Sequence, residues 1–224
     1  MPRLVLPGGT DIAEVGLFST DALPRKRKLT PEVLVELQGA NHAIRMPTGA
    51  DGSYLLHAYV DEPIPPEVLR FCSKDGKLTG TFQTDTGRVS FGGLESAFAG
   101  FEQNPAVRSD ATVPPGTYAY SVYHTEFPDE IVTAHINSGI SRHERRILAI
   151  PGTLSAVSIV AVVIAIATQH LYTAMALAVT LFGAIRLAAR SSRYQALRKR
   201  RTELEMTYPS IVIELRSNNR SRVS

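Results

Sequence analysis

The sequence offers little that could cross-link or catalyse, and one long stretch of it carries no charge. A single cysteine, Cys72, excludes an intramolecular disulfide and fits a reducing compartment. The opening residues, MPRLVLPGGTDIAEVG, lack the apolar core and small-residue cleavage site of a secretory signal. The expectation is therefore that residues 1–140 stay on the side of the membrane where they are made. Residues 147–185, 39 positions in all, hold no Lys, Arg, Asp or Glu.

Catalytic constellations are missing too. Of the six histidines, His42 and His57 are isolated and His170 lies in the uncharged stretch, while His143-Glu144 lacks the second histidine of an HExxH helix. His124 and Glu126 share a face of an expected strand and, with His135, come nearest to a metal cluster, but an ordinary strand surface explains them. Cys72 has no motif around it and no basic neighbour closer than Arg70 and Lys74, which argues against a nucleophile. Gly8-Gly9, Gly92-Gly93 and Gly116 stand in turn-like contexts, without a G-K-[ST] or a strand–GxGxxG–helix setting. No catalytic, metal-binding or cofactor-binding residue is assigned. The basic runs at 25–28 and 198–201 have no interleaved aromatic residue except Tyr194, so nucleic acid is not an expected partner.

What is present divides into two parts. Residues 1–140 carry 11 Lys and Arg against 17 Asp and Glu, a net of −6. Residues 141–224 carry 13 against 4, a net of +9, so the overall charge of +3 belongs to the C-terminal part. A basic tail suits anionic lipid headgroups, which would repel the acidic part.

Two apolar segments, 147–168 and 171–189, each match the roughly 20 residues that cross a ~30 Å hydrocarbon core. Gln169-His170 between them allows only a tight reversal. At ~1.5 Å per residue the uncharged positions would extend ~58 Å as helix, about twice the core thickness. A buried helical pair in a soluble domain is the alternative, but the remaining chain has too few apolar residues to cover both helices. Arg142, Arg145 and Arg146 precede the first segment. Arg186, Arg190, Arg193, Arg198, Lys199, Arg200 and Arg201 lie at or beyond the end of the second, and the turn has no Lys or Arg. The positive-inside rule then makes both termini cytoplasmic in an integral protein of the plasma or inner membrane. These ten side chains are the expected contacts for lipid headgroups, Arg186 by snorkelling, with Tyr172 at the opposite interface. Small residues recur four apart at Gly152 and Ala156, Ala161 and Ala165, and Ala174 and Ala178. Close packing within the hairpin is their plainest use, and a homo-oligomer through the same faces is the other.

Residues 1–140 read as a β-rich cytosolic domain, an antiparallel sandwich or barrel. Strands are expected at 33–37, 54–60, 78–83, 88–91, 116–123 and 131–136, with 77–83 and 88–91 forming a hairpin about TDTG and a short helix at 94–101. Tyr118, Tyr120, Val122 and His124 fall on one strand face and Tyr123 on the other. Beyond the apolar segments, 190–205 continues as a helix, Tyr208-Pro209 stops it, and SIVIEL at 210–215 forms a strand. A lone strand is unstable in water, so it is expected to return to the sheet of residues 1–140. Residues 190–216 would then pack on the β domain, and 217–224 would be a disordered tail.

In layout, a small β-rich cytosolic domain with a two-helix hairpin resembles bacterial toxin-immunity proteins and two-helix membrane effectors of antiphage defence. The expected function is a non-enzymatic, membrane-anchored binding or regulatory module, with the bilayer and a protein partner of the acidic domain as its partners. A toxin-immunity protein is one concrete form. The alternatives are an effector whose hairpins assemble and permeabilise the bilayer on sensing a ligand, and a membrane-bound enzyme of unknown class.

Overall fold

Among the described residues eight strands lie between residues 4 and 124, and one more follows a long helical insertion. The computed structural model describes residues 3–23, 30–95, 107–167 and 171–218. The chain divides into a β head, Met1–Phe127 with Tyr208–Ser224, and a helical unit, Pro128–Thr207.

Nine strands form the head among the described residues: β1 Leu4–Thr10, β2 Glu14–Ser19, β3 Ala43–Pro47, β4 Gly52–Val60, β5 Leu78–Thr84, β6 Arg88–Gly93, β7 Arg108–Thr112, β8 Gly116–His124 and β9 Ile211–Ser217. One sheet has the order β1-β4-β9-β8-β5 and the other β3-β2-β6-β7. Their facing sides interdigitate around Leu17, Met46, Leu56, Phe82, Phe91 and Ile213, all fully buried. The sheets also meet at both edges. Gly9 N–H donates to Val107 O at 3.2 Å beside β7, and Gln83 N–H donates to Asn41 O at 2.7 Å beside β3. Edges joined this way leave few unpaired backbone groups to recruit another chain.

The expected return of the C-terminal strand is seen, and more centrally than an added edge. β9 lies between β4 and β8, parallel to the first (Leu56↔Ile211) and antiparallel to the second (Tyr120↔Leu215). The sheet is therefore mixed, not purely antiparallel as expected. A parallel neighbour needs a long crossover, and the chain between β4 and β9 supplies one. Ile211, Ile213 and Leu215 face the inter-sheet core, while Val212 packs on the opposite face with Tyr59, Ile64 and Val68. Burial on both faces explains why this strand reads as a continuous apolar run.

Several local expectations are corrected. Residues 33–37 belong to a helix, α1 Pro31–Gly39, with Thr30 Oγ1 accepting from Val33 N–H at its start. Leu34 and Leu37 are buried and Val35 is 63% exposed, a helical period that a strand could not produce. Threonine capping a proline at the first helical position is the local cause. Residues 131–136 are also helical, within α3 Asp129–Gly139, which follows Pro128 and has Asp129 and Glu130 in its first turn. A one-turn helix, α2 Pro66–Leu69, precedes it in the chain. The expected short helix at 94–101 lies, after Glu95, outside the described residues, as does the basic run at 25–28.

The expected β5–β6 hairpin does not form. β5 pairs with β8 and β6 with β2 and β7, so the turn at Thr84–Gly87 carries the chain from one sheet to the other. Gly87 has φ +80°, and a Cβ there would stand 2.0 Å from Val113 O. Gly87→Ala is expected to lower the melting temperature of the head: left-handed backbone alone costs a non-glycine residue roughly 1–2 kcal/mol, and the collision adds to it. An unchanged thermal melt would contradict this.

In the helical unit α3 is followed by α4 Arg142–Ala167, α5 Leu171–Arg190 and α6 Ser192–Glu205. α4 and α5 pack on each other, and α6 packs on α3, α4 and α5. Residues 190–205 are not one continuation of α5, because Ser191 leaves helical geometry and its Oγ accepts from Tyr194 N–H at 3.3 Å, starting a new helix. The first part of the head ends at Phe127 and α6 groups with the helical unit, so of the 190–216 segment only 208–216 groups with the head. β9 runs through Ser217, and the rest of the expected tail, 219–224, lies outside the described residues.

Candidate membrane interface

α4 enters through a capping box: Glu144 N–H donates to Ser141 Oγ at 3.3 Å, and Ser141 N–H donates back to Glu144 Oε2 at 2.8 Å. The cap places the first basic cluster on the opening turn, with Arg142 and Arg146 exposed and Arg145 half-buried. From Ile147 onward the helix is apolar. Pro151 removes one backbone donor, and the Ser155 hydroxyl donates to Pro151 O at 2.8 Å. Among the described residues one helix, over Arg142–Ile164, is long and apolar enough to cross a membrane by length and composition.

Both long helices expose apolar side chains among the described residues. Ile159 is 66% exposed, and Val179 and Leu187 on α5 are each 73% exposed, with Val157, Val160, Val163, Ile164 and Phe182 similarly bare. Contiguous apolar surface of this kind marks a membrane or protein contact. Gly152 and Ala156 are exposed, and a Cβ added at Gly152 would meet nothing within 4 Å, so that pair does not serve close packing inside the unit. Tyr172 is exposed at the start of α5. Gln169 and His170 lie outside the described residues.

The basic residues beyond the apolar stretch are placed as follows. The Arg186 guanidinium lies 5.0 Å from the Phe182 ring centroid, a cation–π contact near the end of α5. Arg190 and Arg193 are exposed on either side of the α5–α6 break. Lys199 pairs with Glu203 at 4.0 Å, Arg200 with Glu144 at 3.7 Å and Arg201 with Glu205 at 2.7 Å, while Arg198 is exposed. Exposed pairs of this kind stabilise little, but Arg200–Glu144 ties α6 to the first turn of α4.

A cavity of about 310 Å³ lies where α3, α4 and α6 meet, lined by Thr133, Asn137, Arg145 and Arg201 on its polar part and by Ile136, Ile140, Leu148 and Ala149 on its apolar part. Arg145 Nη1 donates to Asn137 Oδ1. Its Nε is buried without a hydrogen-bond acceptor. Spacing along the chain names Arg145 and Arg201 as basic flank residues, but nothing local announces that α3 brings Asn137 and Thr133 to them.

In the head, Cys72 is half-buried with Sγ donating to Val68 O at 3.6 Å, and burial pushes its thiol above the usual range. A raised thiol has less thiolate at neutral pH and is a poor nucleophile. Burial likewise pushes Tyr118 and Tyr120 up. Among the described residues no group of three His, Cys, Asp or Glu could hold a metal ion.

The chain is thus a two-sheet β protein with a helical unit, exposed and apolar along its two long helices, inserted before its last strand. No family model matches it, and no curated protein matches it. Among solved structures it is similar to one titled "Crocagin biosynthetic gene J", with a TM-score of 0.39 and 16% identity over 55% of this chain and 75% of that one. It is also similar to ComJ, described as an inhibitor of the DNA degrading activity of NucA, from Bacillus subtilis, with a TM-score of 0.35 and 12% identity over 56% of this chain and 82% of that one.

Proposed function

We propose that the chain is a membrane-anchored binding module. α4 and α5 cross the bilayer as a hairpin, both termini lie in the cytoplasm, and the head holds a protein partner at the inner face of the plasma or inner membrane. One observation fixes the parity of the crossing. β9 follows the helical unit, yet it is a central strand of a sheet whose other strands all precede that unit. A hydrogen-bonded sheet cannot be shared across a bilayer, so the chain on both sides of the helices occupies one compartment. No crossing or two crossings meet that requirement, a crossing by α4 alone does not, and the exposed apolar side chains of both helices favour two.

The bare apolar side chains of α4 and α5 support the same reading, since each costs about 1.5–3 kcal/mol to leave in water. The ten basic residues flanking the two apolar segments are then the contacts to lipid phosphate.

The head as the structure divides it carries 14 Lys and Arg against 16 Asp and Glu, a net of −2, and its acidic excess lies in residues 1–127 (net −4). That part favours a basic protein as the partner, because charge complementarity steers such encounters. An inhibitory or immunity role is the specific form this binding takes. Cross-linking in native membranes followed by purification of the full chain tests it. A basic protein is expected to be captured when the cross-linker acts at low salt and missed when it acts near ~1 M salt, where the screening length falls to about 3 Å. Recovery of the chain alone at several detergent strengths and at low salt would contradict the binding role.

A further inference from the structure

We infer that the cavity between α3, α4 and α6 seats the phosphate of an anionic phospholipid. The proposal rests on the membrane anchoring above and adds a defined site to it. Arg145 and Arg201 put two guanidinium groups on the wall with Asn137 and Thr133; no Asp or Glu lines it, and Arg201 Nε donates to Glu205 Oε1 at 2.7 Å outside the lining. The Arg145 Nε is a buried donor with no acceptor, an arrangement costly to leave unmet. An oxyanion in the cavity supplies that acceptor, and guanidinium groups suit phosphate geometry.

The rest of the wall explains why the phosphate belongs to a lipid. Leu148 and Ala149 are in the first turn of the uncharged stretch, and with Ile136 and Ile140 they make the other part of the lining apolar. The cavity therefore spans the level at which α4 changes from charged to apolar, where a phospholipid places its phosphate and glycerol. At about 310 Å³ it lies at the small end of ligand pockets and takes a headgroup junction, not a whole lipid. Free phosphate would leave the apolar wall unused.

The test uses the full chain purified in an uncharged detergent and supplied with equal phosphatidylglycerol and phosphatidylcholine, with retained lipids counted by native mass spectrometry. The wild type is expected to retain phosphatidylglycerol preferentially. Arg145→Gln and Arg201→Gln should each lower that retention about tenfold, while Lys74→Gln, exposed in the head and not among the lipid contacts, should leave it unchanged. Limited proteolysis of each variant, with the wild-type pattern retained, shows that the fold is intact. Equal retention by Arg145→Gln and wild type, an equal loss in Lys74→Gln, or displacement of the lipid by millimolar inorganic phosphate would each overturn the site. Alkaline carbonate extraction reads the anchor separately: release of the wild-type chain from membranes defeats the anchoring, whereas lost lipid selectivity in a chain that stays embedded defeats only the cavity.

Discussion

Ending the chain at Thr207 is expected to unfold the β head. The deletion removes β9, which sits between β4 and β8, so both neighbours lose a partner and the five-stranded sheet is cut in two. It also removes Ile211, Val212, Ile213 and Leu215, all buried. At about 1.5–3 kcal/mol for each such side chain, the loss is roughly 6–12 kcal/mol, against ~5–15 kcal/mol of total stability for a typical domain. Residues 3–127 should become protease-sensitive or insoluble in the truncated protein. Ending the chain at Arg216 should do much less, since it removes the last turn of pairing, where Ser217 N–H donates to Asp61 Oδ1 at 2.7 Å and Asn218 N–H to Thr117 O at 3.0 Å. A truncation at Thr207 that leaves a soluble, cooperatively melting head would show that β9 is dispensable.

The second large effect depends on the parity of crossings and not on the number of contacts removed. Deleting α5 alone leaves one span, which would put β9 on the far side of the bilayer from β4 and β8. The head should then fail as it does when β9 is deleted, although every head residue is present. Deleting α4 from Ile147 together with α5, and joining the ends by a short flexible linker, returns β9 to the compartment of its sheet. The head should regain protease resistance and leave the membrane fraction. Less is removed in the first case and more in the second, yet the first is expected to be the more damaging. Equal head stability in the two deletions would argue against a transmembrane hairpin.

Much of the head was legible from alternation alone. β4, β5, β6, β8 and β9 read as strands because their apolar residues recur at a period of two or fill a short run. β1 hid behind Pro7, Gly8 and Gly9, and β7, RSDAT, has no apolar side chain larger than alanine. α1 and α3 were misread for a shared reason: short runs of branched residues resemble strands, and the helix signals lie just before them, at Thr30-Pro31 and at Pro128-Asp129-Glu130. Which strands pair was not legible. The turn after β5 looks like a hairpin turn, but whether it folds back or crosses between sheets is decided by distant partners such as Val113. The basic flanks were legible because charge against an apolar run is a local pattern. The cavity was not, because Asn137, Arg145 and Arg201 come from three helices that only tertiary packing brings together.

The central claim is that both ends of the helical unit face one compartment while its far turn faces the other. Single cysteines at Asp51 in the head, at Gln169 between the helices and at Asn218 beyond β9 address it directly, in a Cys72→Ser background. Asp51 and Asn218 are exposed, so burial does not shield them from an impermeant thiol reagent. In intact cells, position 169 is expected to be labelled from outside, and positions 51 and 218 only after the membrane is opened. Labelling of position 218 from outside while position 51 stays protected would contradict the account, because it would place β9 across the membrane from the sheet it completes.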